Sequence, residues 1–193
     1  MKTLYSGLAS LTLLAVSIPT TSSGLLAEDA GIVPSNVSGV EIVPVDGDIF
    51  RYKAVLVDTD GSADLYIFTD AGNGWVEAAH ARDIAWRGGS YGQSPWLEAT
   101  GNGSLKVYSE NASIGRSRWE QVLTIAYRNN TFVVAGYTLS YYDTLDEALS
   151  GTCDVNLLTG KGIHKDTPFR TSLKALPVQN WTMDTQPQEC SAS

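Results

Sequence analysis

The densest group of hard oxygen ligands in this 193-residue chain is Asp58, Asp60 and Asp64, which flank Gly61 and precede the apolar Leu65. Carboxylates at alternating positions around a glycine are what a Ca2+ loop supplies, because that ion takes six or more oxygens. The segment is two residues shorter than an Asp-x-Asp-x-Asp-Gly loop and lacks the distant bidentate acid, so a charged hairpin turn competes with a calcium site. No other cofactor is expected. His80 and His164 are the only histidines and show no paired spacing with each other or with cysteines, so zinc ligation is not indicated. No Gly-x-Ser-x-Gly elbow occurs, and the glycines at 88, 89 and 92 lead into Pro95 rather than into a helix, which removes a nucleophile elbow and a phosphate loop. Catalysis by paired carboxylates is the chemistry left open, with Glu77, Asp83, Glu98, Glu110, Glu120 and Asp143 available for glycoside hydrolysis.

Recognition is better represented than catalysis. The segment Trp86-Arg87-Gly88-Gly89-Ser90-Tyr91-Gly92-Gln93-Ser94-Pro95-Trp96, together with Tyr141-Tyr142-Asp143, is built from Gly, Ser, Tyr and Trp. These residues give adaptable hydrogen bonding and large aromatic area with little side-chain entropy to lose. Tyr91, Trp96, Tyr141 and Tyr142 are therefore the candidate binding residues, for a protein partner or for the face of a sugar. The competing reading folds Trp86 and Trp96 back as satellite core.

The elements that position these residues read as strands. Val40–Val45 is broken by Pro44, which cannot donate to a ladder and so predicts an edge. Phe50–Val57 and Asp64–Thr69 form a hairpin signal around residues 58–63, and Trp75–Arg82 reads equally as strand or short helix. Five of the 18 glycines lie in Arg87–Gly103, predicting a long loop. Ser104–Ser109 follows as a strand. Trp119–Arg128 and Thr131–Ser140 are the strongest pair, joined by Asn129-Asn130, residues that tolerate the positive φ of a tight hairpin turn. Thr144–Leu149 predicts a helical turn, Cys153–Leu158 a further strand and Lys174–Trp181 a last one. No long apolar stripe of helical period exists outside the N-terminal run. The expectation is an all-β antiparallel stack of hairpins and meanders, a sandwich or a partial propeller-like array, with little helix.

Compartment follows from the ends of the chain. Met1-Lys2 and the apolar run Leu8–Ile18, closed by Pro19 and small residues, have the form of a signal peptide, placed here at residues 1–27, and the run is too short to span a bilayer. Residues 28–39 read as a leader, 40–182 as a single β-rich domain and 183–193 as a C-terminal tail. Export makes Cys153 and Cys190, the only thiols, a disulfide pair, with two unpaired thiols as the alternative. Closing that loop of about 38 residues would be worth roughly 4 kcal/mol. Asn-x-Ser/Thr triplets begin at Asn36, Asn102, Asn111, Asn129 and Asn180; they are glycan acceptors in a eukaryotic host and turn-rich sequence in a bacterial one. The net charge of −8 argues against a general electrostatic grip on nucleic acid or an anionic membrane, and no second apolar run reaches the length of a span.

The order Trp119–Arg128, Thr131–Ser140 with Ala135-Gly136-Tyr137 inside it, then Cys153-Asp154-Val155-Asn156-Leu157-Leu158-Thr159-Gly160-Lys161, resembles a loose family of uncharacterised exported bacterial β-rich proteins. Its most specific piece is the Asn-x-Leu-Thr-Gly-Lys segment at Asn156–Lys161. The resemblance covers roughly Phe50–Lys161, implies a periplasmic or secreted β-rich protein and carries over no catalytic residue. Taken together, the sequence leads to an exported, non-catalytic binding protein, in one version an inhibitor or partner of a basic envelope enzyme, whose encounter an acidic surface would speed. A glycan hydrolase with paired carboxylates and a calcium-stabilised structural β module are the alternatives.

Overall fold

Alternating apolar residues along Arg51–Asp58, Ser62–Asp70, Ser104–Asn111 and Ser117–Arg128 give each strand one buried face, and two such faces must be closed against each other. A computed structural model describes residues 37–44 and 51–191 and shows that arrangement. All described residues belong to the unit Pro34–Ser193, and the expected signal peptide lies outside the described residues.

That unit is all-β and antiparallel. One sheet is the meander β1 (Val37–Pro44), β2 (Arg51–Asp58), β3 (Ser62–Asp70) and β4 (Trp75–Trp86), in that order. The other runs from β5 (Trp96–Ala99) through β6 (Ser104–Asn111), β7 (Ser117–Arg128), β8 (Thr131–Asp143), β9 (Gly151–Asn156) and β10 (Lys161–His164) to β11 (Thr167–Arg170), again in sequence order. The short β12 (Leu176–Pro177) pairs with Val133 and Val134 of β8, just beyond the stretch of β8 that β9 covers. Helix among the described residues is confined to three-residue 3-10 turns.

Both sheets contribute to one core. Leu56, Leu65, Ile67 and Ile84 from the first meet Leu105, Leu123, Ile125, Val134 and Tyr137 from the second, all fully buried. Each such aliphatic side chain contributes roughly 1.5–3 kcal/mol relative to exposure. The sheets are therefore packed as a sandwich. Burial alone pushes the Tyr137 hydroxyl up to about 12.

Several expectations hold in detail. β1 lies at a sheet edge, and the Asn129-Asn130 turn has positive φ at both residues, 50° and 62°. The 3-10 turn Glu147–Leu149 is capped by Asp146, whose carboxylate accepts from the Ala148 amide. Trp75–Arg82 is strand and continues to Trp86 across an irregularity in its pairing with β3, beside which Asp83 adopts φ 49°. Its alanines favour helix alone, but cross-strand packing on β3 overrides that preference.

Other expectations are corrected. Arg87–Gly103 is not one loop, because β5 occupies Trp96–Ala99. Lys174–Trp181 forms only the two-residue β12 before turning into a 3-10 turn at Val178–Asn180. β1 starts at Val37, inside the segment read as leader. The C-terminal segment is folded: Trp181 and Cys190 are fully buried, Met183 donates its amide to the Asp83 carbonyl (2.7 Å), and Cys190 is joined to Cys153.

Candidate functional site

The meander divides its connections unequally. Residues 71–74, 100–103, 129–130 and 157–160 close one end of the sandwich with short turns. The opposite end carries the short turns 59–61 and 165–166 and, beside them, the longer segments 87–95, 112–116 and 144–150, and side chains tie these three longer segments to one another.

Gln93 and Asn111 make the first tie. The buried Gln93 accepts from the Ser90 amide (3.1 Å) and donates from Nε2 to Asn111 Oδ1 (3.0 Å). Asn111 also donates to the carbonyls of Ile114 (2.7 Å) and Ser117 (3.1 Å) and accepts from the Ile114 amide (3.0 Å), so all of its loop-facing capacity is used. Gly88 is required here, since a Cβ would stand 2.1 Å from Gln93 Oε1. The Ala112 amide reaches the Gly92 carbonyl (3.0 Å), and the Ser113 hydroxyl donates to the Tyr91 carbonyl. Arg116 and Asp143 make the second tie, with Nε 2.6 Å from Oδ2, while the Thr144 amide donates to the Arg116 carbonyl (2.9 Å). The hydrogen bond from Arg116 and another from the Leu145 amide hold the Asp143 carboxyl below its ordinary range.

These tied loops and the adjoining end of β8 present apolar side chains to water: Tyr91 is 97% exposed, Leu145 79%, Ile114 52%, Tyr142 51% and Leu149 48%. Asp146 and Glu147 are exposed beside them.

Below the 144–150 loop lies a cleft of about 690 Å3. Register places Trp119 opposite Tyr141, Tyr141 opposite Gly151 and Phe169 opposite Gly162, on the inward side of the larger sheet. The two glycines make room for rings, since a Cβ would stand 2.8 Å from the Tyr141 hydroxyl at Gly151 and 2.4 Å from the Phe169 ring at Gly162. His164 stands behind Tyr141. Its Nδ1 donates to the Glu189 carbonyl (2.8 Å), which can only accept, and its Nε2 is hydrogen-bonded with the Tyr141 hydroxyl (2.8 Å). Lys165 Nζ lies 5.6 Å from the centroid of the same Tyr141 ring. Arg118 and Glu189 complete the lining. Arg118 Nη1 and Glu189 Oε2 are both shielded from solvent with no hydrogen-bond partner.

Of the four candidate binding residues, the structure puts Tyr91 on the 87–95 loop and Tyr141 and Tyr142 at the end of β8, where both line the cleft. Trp96 is elsewhere. It stands on β5, stacked on Tyr108 of β6 with ring centroids 4.6 Å apart, in the wall of strands rather than in a loop. The three aspartates do not converge. Asp58 pairs with Ala63 and faces the core side, where Arg87 Nε takes it at 2.6 Å; Asp64 faces outward, where His80 Nε2 (3.2 Å) and the Asp83 amide (2.9 Å) engage it. Strand alternation sends the two carboxylates to opposite faces, and no group of three metal-ligating side chains forms among the described residues. Of the acidic residues considered for catalysis, Glu110 and Glu120 are direct cross-strand partners. Burial, then the Glu120 charge, raises the Glu110 carboxyl above its usual range.

Sequence reasoning missed Gln93, Asn111, Arg116 and Asp143 as organisers of the loops, and Arg118, His164 and Glu189 as cleft residues. Only the Asx preference of turns pointed towards Asn111 and Asp143. No protein-family model, curated protein or solved structure matches the chain significantly.

Proposed function

We propose that this chain is an exported, non-catalytic binding protein that recognises a basic partner protein through the three tied loops. The observation that carries the reading is the set of exposed apolar residues, Tyr91, Ile114, Leu145 and Leu149 on loops already fixed by the Gln93, Asn111 and Arg116 contacts and Tyr142 at the adjoining end of β8. Large apolar side chains exposed together have a cost in water that a partner removes, and preformed loops reduce the ordering entropy of binding. Asp146 and Glu147 on the rim and the net charge of −8 favour a partner with a basic rim. A buried disulfide suits an oxidising compartment, periplasmic or extracellular, as does the resemblance to exported bacterial proteins. No helix among the described residues is long and apolar enough to cross a membrane.

The test is capture from an envelope extract at low and moderate salt, comparing the mature oxidised protein with a Tyr91→Ser/Leu145→Ser variant by quantitative mass spectrometry. A basic protein retained by the wild type, lost at moderate salt and lost on the variant is the expected result. Equal capture by both proteins, or no enrichment at either salt, overturns the reading. One observation favours a second reading, glycoside hydrolysis by Glu110 and Glu120: the two carboxyls are cross-strand neighbours and one has its pKa raised, the pattern of an acid beside a base. Release of reducing sugar that disappears in both Glu110→Gln and Glu120→Gln would replace the first reading with it.

A further inference from the structure

A sheet packed on a core through one face normally turns a polar face to water. The smaller sheet does not. Register puts Val55 and Val57 of β2, Tyr66 and Phe68 of β3, and Trp75 and His80 of β4 on its outer face; all six are half-buried and none belongs to the core between the sheets. Residues 54–57 and 65–68 are accordingly apolar at every position, the pattern of strands covered on both sides. The rings on this face do not suit a sugar. Tyr66 stands between its cross-strand neighbours Val55 and His80, stacked on the imidazole with centroids 4.1 Å apart and planes within 12°, and Lys53 Nζ lies over the Trp75 ring at 5.7 Å. Ring faces that a sugar would stack on are taken, and the net charge of −8 disfavours nucleic acid or an anionic membrane. The charges on the face itself are balanced. Lys53 and Glu77 flank Phe68 in one cross-strand row; on the other side of Tyr66 and His80, Asp64 lies opposite the irregularity that begins at the exposed Arg82. Burial, then the charges of Asp64 and Glu77, holds the Tyr66 hydroxyl above its ordinary range, with Arg82 opposing them.

We propose that the outer face of the smaller sheet binds a second copy of this chain. A balanced apolar face on an acidic chain suits self-association, because an isologous interface is complementary to itself. A two-fold axis lying in the interface and crossing the strands at the row of Val55, Tyr66 and His80 lays each strand antiparallel on its own copy. Valines then meet valines and rings meet rings, Glu77 meets the partner's Arg82, and Lys53 comes beside the partner's Asp64. An axis along β3 would instead set Asp64 against the partner's Asp64, so the crossing axis is the one the charges select. It reverses the strand direction, which sends the two loop ends to opposite extremes of the dimer and leaves both open. The face shares no residue with the loop surface or with the cleft.

Sedimentation equilibrium of the mature oxidised protein from about 1 µM to about 1 mM tests the proposal. Three strands make a small face beside the roughly 800 Å2 per partner of a standard interface, so a dimer that dissociates within that range is expected. Glu77→Arg and Arg82→Glu each raise its dissociation constant about tenfold, since each places like charges at two symmetric contacts, and the double variant Glu77→Arg/Arg82→Glu returns it to within about twofold of the wild type. Both side chains are exposed, and a folding defect would not be rescued by adding the second change. The Tyr91→Ser/Leu145→Ser variant dimerises as the wild type does, which keeps this result separate from that of the loop reading. A protomer at every concentration overturns the proposal, and if cellohexaose shifts the Tyr66 ring resonances of that protomer the face takes a glycan instead. A dimer indifferent to either reversal, not restored in the double variant, or lost in the loop variant also overturns it.

Discussion

Replacing Asn111 with alanine tests whether the loop end is a preformed surface. The side chain makes four hydrogen bonds, three across the 112–116 loop, to Ile114 twice and to Ser117, and one to Gln93 Nε2. The three loop bonds are near the surface, where water replaces them, so their loss costs about 0.5 kcal/mol each, the low end of the net range. The fourth leaves the amide of Gln93, only 6% exposed, without its acceptor, and an orphaned buried donor costs about 1–3 kcal/mol. The sum is about 3 kcal/mol, and it falls first on the loop rather than on the core. Urea unfolding of Asn111→Ala should show that loss, less any part relieved by local opening. Trypsin cleavage after Arg116, on the same loop, should accelerate in native buffer, because the open state becomes more populated. Asn111→Asp sharpens the test. It keeps both acceptor contacts but turns a carboxylate oxygen towards the carbonyls of Ile114 and Ser117, so it should be at least as damaging as alanine. A change under about 0.5 kcal/mol, the ordinary range for a surface substitution, with unaltered proteolysis would refute the reasoning.

Two further outcomes follow from the fold. Removing the disulfide with Cys153→Ala/Cys190→Ala should lower unfolding free energy by about 4 kcal/mol, from the entropy of a loop whose ends are 37 residues apart, as read from urea curves; a loss below about 1 kcal/mol would show that the C-terminal segment holds without it. Glu110→Gln should stabilise the protein at pH 7 by about 0.5 kcal/mol by removing a like charge opposite Glu120. A raised folded-state pKa contributes stability below the unfolded value that is lost as pH rises through the folded one, so the advantage of Gln should fade as the pH is lowered to about 3; a gain that does not vary with pH would contradict it.

What the sequence made legible was whatever is local. Arg51–Asp58 and Ser62–Asp70 declare themselves by alternation, and Asn129-Asn130 by residues that accept positive φ. β10 and β11 did not, because each is four residues long and they include Gly162 and Pro168; their turn is made by Lys165 and Asp166, at φ 45° and 65°, without the usual Asn-Gly signal. The site divides the same way. Tyr91 and Tyr142 were visible as aromatics in turn-rich sequence, whereas Gln93 reaches Asn111 across 18 positions and His164 reaches Glu189 across 25. No spacing rule encodes such pairs, which exist only once the meander brings the strand ends together. Parity could have separated Asp58 from Asp64: six residues apart they look like one loop, but the turn between them sends their side chains to opposite faces.

The asymmetry between the two ends is itself an argument about where the protein acts. A meander needs only tight turns, and the described connections at one end are all of that kind, with positive φ at Gly72, Gly103, Asn129, Asn130 and Gly160 keeping them short. At the other end three longer segments must be ordered, and the apolar side chains there, at 91, 114, 142, 145 and 149, remain in water, so burial does not offset that entropy. The ordering comes instead from polar ties that join one loop to the next and do nothing for the core: Gln93 to Asn111, Ser113 to Tyr91, Arg116 to Asp143. The C-terminal segment adds another beneath them, as the bond from Cys190 to Cys153 sets the neighbouring Glu189 carbonyl against His164 and so fixes Tyr141. These contacts stabilise the loops they join, but tight turns at this end would need none of them. They are explained if the end they organise must keep one shape for something it binds, with the short-turn end left as scaffold.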